Sequence, residues 1–78
     1  MKLIIFINST MEDEQALVNS ENNEILLKGD YYHDKIEAQI QGFLKGLKFA
    51  EVDFIIEEEI INPDNDMFEK LEFHNDNF

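Results

Sequence analysis

The residues of this chain that could do chemistry are carboxylates. The stretch FIIEEEIIN, residues 54–62, sets Glu57, Glu58 and Glu59 between two isoleucine pairs. Asp53 precedes it, and Glu12, Asp13 and Glu14 form a second run. Such groups can move protons, hold a cation or meet a basic partner. Acid–base catalysis needs two groups whose environments push their pKa values apart. Here carboxylates are so many that no pair stands out. Ser9 and Ser20 lie in polar stretches without a local base, and there is no cysteine nucleophile. A substrate pocket is also hard to build in 78 residues. No catalytic residue is assigned, and the expectation is a protein that is not an enzyme.

Cation binding fares little better. In NPDNDMFEKLEF, Asn62, Asp64 and Asp66 fall at the first, third and fifth positions of a calcium loop. The sixth position should be glycine and is Met67; the twelfth should be glutamate and is Phe73. His33 and His74 are the only imidazoles. Asp30 and Asp34 stand near His33, but acids at a helix start serve as caps. Neither a metal nor a cofactor is expected.

A basic partner fits best. Eighteen acids against six basic residues give a net charge of −12, and arginine is absent. Residues 1–50 carry a balance of −3 and residues 51–78 a balance of −9. Direct binding to nucleic acid or to an anionic membrane is disfavoured, and a basic protein is favoured. Alternate residues on a strand lie about 6.7 Å apart, comparable to neighbouring phosphates along a nucleic-acid strand. Asp53, Glu57 and Glu59 on one strand face, extended by residues 12–14, would present such an array. The bland alternative is a solvated face that keeps a small protein soluble and blocks sheet-to-sheet pairing.

The elements that position these groups follow from apolar spacing. Residues 2–8, KLIIFIN, suit a central strand covered on both sides. Its apolar stretch is too short for a signal-peptide core or a membrane span. Ser9 and Glu12 have capping-box spacing, but Ala16–Val18 and Ile25–Leu27 around SENN predict a hairpin. A short helix over 11–19 is the alternative. Residues 31–49 read as one helix, with Ile36, Ile40, Phe43, Leu44 and Leu47 on a stripe and an Asp34/Glu37 capping box. Tyr31 and Tyr32 precede that stripe, one expected to pack and the other to lie exposed as an interface anchor. Ala38, Gly42 and Gly46 make a row of small residues beside the stripe. It predicts close packing against the sheet, or else a docking strip for a partner or a second copy.

Residues 52–61 predict the last strand, at a sheet edge. Val52, Phe54, Ile56 and Ile60 should face the core, with Asp53, Glu57 and Glu59 outward beside Ile55 and Ile61. Alternation would bury Glu58, so a bulge near 57–59 is expected. Asn62 and Pro63 predict a short helix over about 63–72, followed by a frayed tail over about 73–78. The whole reads as one α+β domain over 1–78 in the order β-β-β-α-β-α. Its sheet should be mainly antiparallel. The expected core is Leu3, Ile5, Ile7, Ile25, Leu27, Ile36, Ile40, Phe43, Leu47, Val52, Phe54 and Ile56. With no cysteine to pair, the cytoplasm is the expected compartment.

In length, missing arginine, Asn/Ile/Glu-rich composition and segments such as GDYYHDKIEAQIQGFLKGL and FIIEEEIINPDN, the chain resembles the small acidic proteins of phages of low-GC bacteria. The resemblance is one of type. It implies an inhibitor of host nucleic-acid enzymes or of antiphage defence, of the anti-restriction or anti-CRISPR kind, acting in the host cytoplasm. It assigns no residue a role. The expected function is thus a non-enzymatic acidic protein, a phage-type inhibitor or nucleic-acid mimic. It would set Asp53, residues 57–59 and residues 12–14, with Tyr31 or Tyr32, against a basic nucleic-acid-handling or defence protein. The alternative is a structural or assembly adaptor, or a homodimer, joined through the Ala38/Gly42/Gly46 strip.

Overall fold

The β-branched run at the N-terminus forms β1 (Lys2–Asn8), and the rest of the fold is laid around it. A computed structural model describes residues 1–73. A two-residue turn at Ser9 and Thr10 leads into β2 (Met11–Asn19), which pairs antiparallel with β1. Residues 11–19 are therefore strand throughout, and Ser9 belongs to the hairpin turn, not to a helix cap. The SENN stretch turns the chain into β3 (Glu24–Gly29), antiparallel to β2. The turn is held by side chains: Asn19 Oδ1 accepts from the Glu21 N–H and Asn22 Oδ1 from the Glu24 N–H. Asn23 takes the left-handed conformation, φ 60°, which asparagine tolerates better than most residues.

The predicted helix over 31–49 is two helices. α1 (Tyr31–Asp34) is capped by Asp30, whose side chain accepts from the His33 N–H. Lys35 then adopts φ 49°, ψ 52° and ends it. α2 (Ile36–Phe49) starts afresh with Lys35 as its N-cap and no side-chain cap bond. The Asp34/Glu37 capping box does not form. Asp34 instead turns back, and its carboxylate accepts from the Asp30 N–H. A Cβ at Gly29 would overlap the Asp34 side chain, so this corner needs glycine.

After α2 the chain turns at Ala50 and Glu51, the latter at φ 58°, and leads to β4 (Ile55–Ile61), parallel to β1, completing a sheet of order β3-β2-β1-β4. The strand begins at Ile55, not at residue 52. Its register against β1 is continuous from Lys2↔Ile55 to Asn8↔Ile61, so the bulge expected near 57–59 is not there. A turn after Asn62 ends in α3 (Asp66–Lys70), capped by Asn65, whose side chain accepts from the Met67 N–H. The predicted start at Asn62 and Pro63 is three residues early. Among the described residues no helix is long and apolar enough to cross a membrane.

Both faces of the sheet are covered. On one, Leu3, Ile5 and Leu17 meet Ile36 and Ile40 of α2, with Ile7, Leu27, Phe43, Leu47, Phe54 and Ile56 packed around them. On the other, Phe6, Ala16 and Val18 meet Ile61, Phe68, Leu71 and Phe73. Ile25, partly buried, packs against this second cluster, on the face opposite Leu27. Ala16, Leu17 and Val18 are consecutive and all buried because β2 is sandwiched. Phe73, expected in a frayed tail, is buried with its ring 5.6 Å from that of Phe68. The rest of that tail, residues 74–78, lies outside the described residues. Val52, expected in the core, is exposed in the loop before β4.

Candidate functional site: the acidic edge strand

Among the described residues β4 is an edge strand with β1 as its only neighbour. Strand alternation puts Glu57 and Glu59 on one face and Glu58 on the other. Their register partners are Ile4, Ile5 and Phe6, for Glu57, Glu58 and Glu59 in turn. All three glutamates are exposed. Glu58 points to the side of α2, yet no bulge is needed to keep it in water. α2 packs on β2 and β3 and leaves the far half of β4 open. For the same reason Ile60, on that side, is 66% exposed. Ile61, on the opposite face beneath Phe68 and Leu71, is 1% exposed. The burial expected for these two isoleucines is thus reversed, although Ile56 and Ile60 share a face as alternation requires.

Asp53 is exposed but precedes the strand, so it is not part of the row. Its carbonyl oxygen accepts from the N-terminal ammonium at 3.2 Å, which ties the approach to β4 against the start of β1. Glu12, Asp13 and Glu14 lie on β2. The pairing jumps from Ile7↔Gln15 to Asn8↔Met11, so these three residues bulge out of the ladder. They sit at the end of the sheet where β4 also finishes, but β1 runs between the two acidic groups. Glu14 is half-buried and accepts from Asn8 Nδ2 at 2.8 Å. Asn8, the buried polar residue of the core, also accepts from the N–H and hydroxyl of Thr10. Glu14 is thereby a structural partner, and Glu12 is the freely exposed acid of its run.

Tyr31 and Tyr32 are both exposed, at 50% and 79%, contrary to the expected division between them. Their rings meet edge to face at 5.4 Å, and Lys35 Nζ stands 5.9 Å from the Tyr31 ring centre. They follow β3, at the sheet edge opposite β4. The acidic strand and the tyrosines therefore do not form one site.

Beside the tyrosines, His33 Nδ1 stands 2.9 Å from Asp30 Oδ2. The Asp30 carboxylate holds the imidazole above its ordinary pKa, first through the side-chain hydrogen bond and then through charge. Asp30 is held below its ordinary value by hydrogen bonds from the His33 backbone and ring. Asp30 and Asp34 are the charges that act on His33. The raised imidazole contributes stability below its unfolded-state pKa and loses that contribution as pH rises through the folded value. The lowered carboxylate contributes above its unfolded value and fails as pH falls through the folded one. The pair therefore supports α1 between the two titrations. An NMR titration should place His33 above the ordinary imidazole value, and Asp30→Asn should bring it down.

The row Ala38, Gly42 and Gly46 is not packed against the sheet. All three are exposed, and a Cβ on either glycine would meet nothing within 4 Å. Phe49, at the end of the same helix, is 93% exposed. Both glycines therefore lower helix stability without a compensating contact among the described residues. Gly42→Ala and Gly46→Ala should each stabilise the free protein by about 0.5–1 kcal/mol, read by denaturant unfolding. A loss of stability would mean that the row is covered.

Ile55, expected to face outward, is 62% exposed, and Ile60, expected in the core, is 66% exposed; neither is among the site residues expected from the sequence. Alternation gives the open member of the Ile55/Ile56 pair, but which of Ile60 and Ile61 lies open depends on where α2 and α3 end. Compared with known proteins, the chain matches no family model, no curated sequence and no solved structure.

Proposed function

We propose that this protein is a non-enzymatic acidic binding protein whose β4 edge occupies a basic surface of a nucleic-acid-handling or defence protein. The observation that carries the reading is the exposure of all three glutamates on an edge strand in regular register. Glu57 and Glu59 repeat at about 6.7 Å on one face, near the phosphate spacing such a surface is built to bind. A net charge of −12 steers the chain toward it. The phage-type inhibitor suggested by the chain's resemblance fits this mode of action. A tagged pull-down from the lysate of a low-GC bacterium, eluted with a salt gradient, tests it. The expected capture is a basic nuclease, polymerase or defence component that releases as salt rises. A sole partner that resists high salt contradicts the reading.

A second reading has its own observation. The Ala38/Gly42/Gly46 strip is uncovered and ends beside a fully exposed Phe49. A structural adaptor or homodimer joined there would bury it. Gly42→Leu would then abolish association in light scattering while leaving the fold intact, since the position faces open space.

A further inference from the structure

The β4 edge offers more than charge. The Ile55 N–H donates to the Met1 carbonyl at 2.9 Å, and the Ile61 carbonyl accepts from the Ser9 N–H at 2.9 Å. In a parallel ladder the N–H and C=O of one residue turn to the same neighbour, and successive residues alternate. Residues 55, 57, 59 and 61 therefore bond to β1. The peptide groups of Ile56, Glu58 and Ile60 point away from the sheet, where no strand lies among the described residues. Exposed Ile55 and Ile60 bracket this open edge. A depression of about 230 Å³ lies inward of this edge, over the start of β1, lined by Lys2, Leu3, Ile4, Ser20, Ile55 and Glu57.

We infer that the edge accepts a strand from its partner: an extended segment with consecutive lysines or arginines flanked by apolar residues. This rests on the acidic-surface reading above and names how the partner is held. Main-chain hydrogen bonds to residues 56, 58 and 60 supply the pairing, as in strand addition generally. Charge complementarity selects the occupant. On an added strand, cations set beside Glu57 and Glu59 on one face and Glu58 on the other fall on consecutive residues, because side chains alternate between faces. Apolar residues next to the cations then fall beside Ile56 and Ile60, which immediately flank the three glutamates. A second copy of β4 is the wrong occupant, since pairing EEE with EEE sets like charges across the strands.

The test uses the acetylated and amidated heptapeptide Thr-Ile-Lys-Lys-Lys-Ile-Thr and the full chain. Peptide binding should slow hydrogen exchange at the amides of Ile56, Glu58 and Ile60. The amides of Glu57 and Glu59, already bonded to β1, should change little. Glu58→Pro removes an outward N–H without breaking a bond to β1. It should weaken peptide binding about tenfold or more beyond Glu58→Gln, which removes only the charge. If Glu58→Pro does not fold, the exchange pattern of the native chain decides. Absence of peptide binding, or binding without protection at those three amides, overturns strand addition. A captured partner that is lost by the combined E57Q/E58Q/E59Q variant but retained by Glu58→Pro would sink strand addition and leave the acidic surface standing. A partner retained by both variants would sink the acidic surface as well.

Discussion

Phe68→Ala should destabilise the protein by about 3–5 kcal/mol. The side chain is 3% exposed and packs with Phe6, Ala16, Val18, Ile61, Leu71 and Phe73. A chain of this length holds roughly 4–12 kcal/mol at 0.05–0.15 kcal/mol per residue, so the loss takes a large share. The melting temperature should fall by at least about 12 °C. The size of the effect has a structural cause. α3 and the residues after it are the only described elements covering that face of the sheet, and the Lys28–Glu72 ion pair that fastens them to β3 is exposed. Burial of Phe68, Leu71 and Phe73 must therefore do most of the holding. A loss under about 1 kcal/mol by denaturant unfolding would mean that this segment does not pack where the structure places it.

The combined E57Q/E58Q/E59Q variant should lower affinity for a basic partner by about tenfold or more at low salt, and flatten the salt dependence. Exposed charges contribute little singly, so the effect depends on three of them acting from one rigid strand. Neutralising them leaves the fold intact, because each is exposed and none has an ion-pair partner among the described residues. The same variant separates binding from solubility. If the glutamates only guard an open edge, their loss raises self-association and leaves partner binding unchanged.

Much of the fold was legible because local patterns and tertiary structure agree. The two-sided apolar character of KLIIFIN places it between two covers, as found. The SENN turn and its flanking apolar runs give the hairpin, and the Ile36-to-Leu47 stripe gives the face of α2 that meets the sheet. What was not legible depends on cover. The chain does not say how far α2 reaches across the sheet, so Ile60 and Ile61 exchange burial although their alternation is correct. Nor does it say that β4 runs parallel to β1, which requires the whole of β2, β3 and α2 as a crossover. Lys35 carries no sequence mark of a left-handed residue, so the apolar stripe predicts one helix through it. The acidic strand itself was plain in FIIEEEIIN. That its open isoleucines and outward peptide groups belong to the same edge was not.

Competition with nucleic acid tests the central claim most directly. The partner captured in the pull-down is loaded with a fluorescent oligonucleotide and titrated with this protein. Displacement by the native chain, absent with E57Q/E58Q/E59Q, is the expected result. A stable complex holding partner, oligonucleotide and this protein together would show that the glutamate edge does not occupy the nucleic-acid surface.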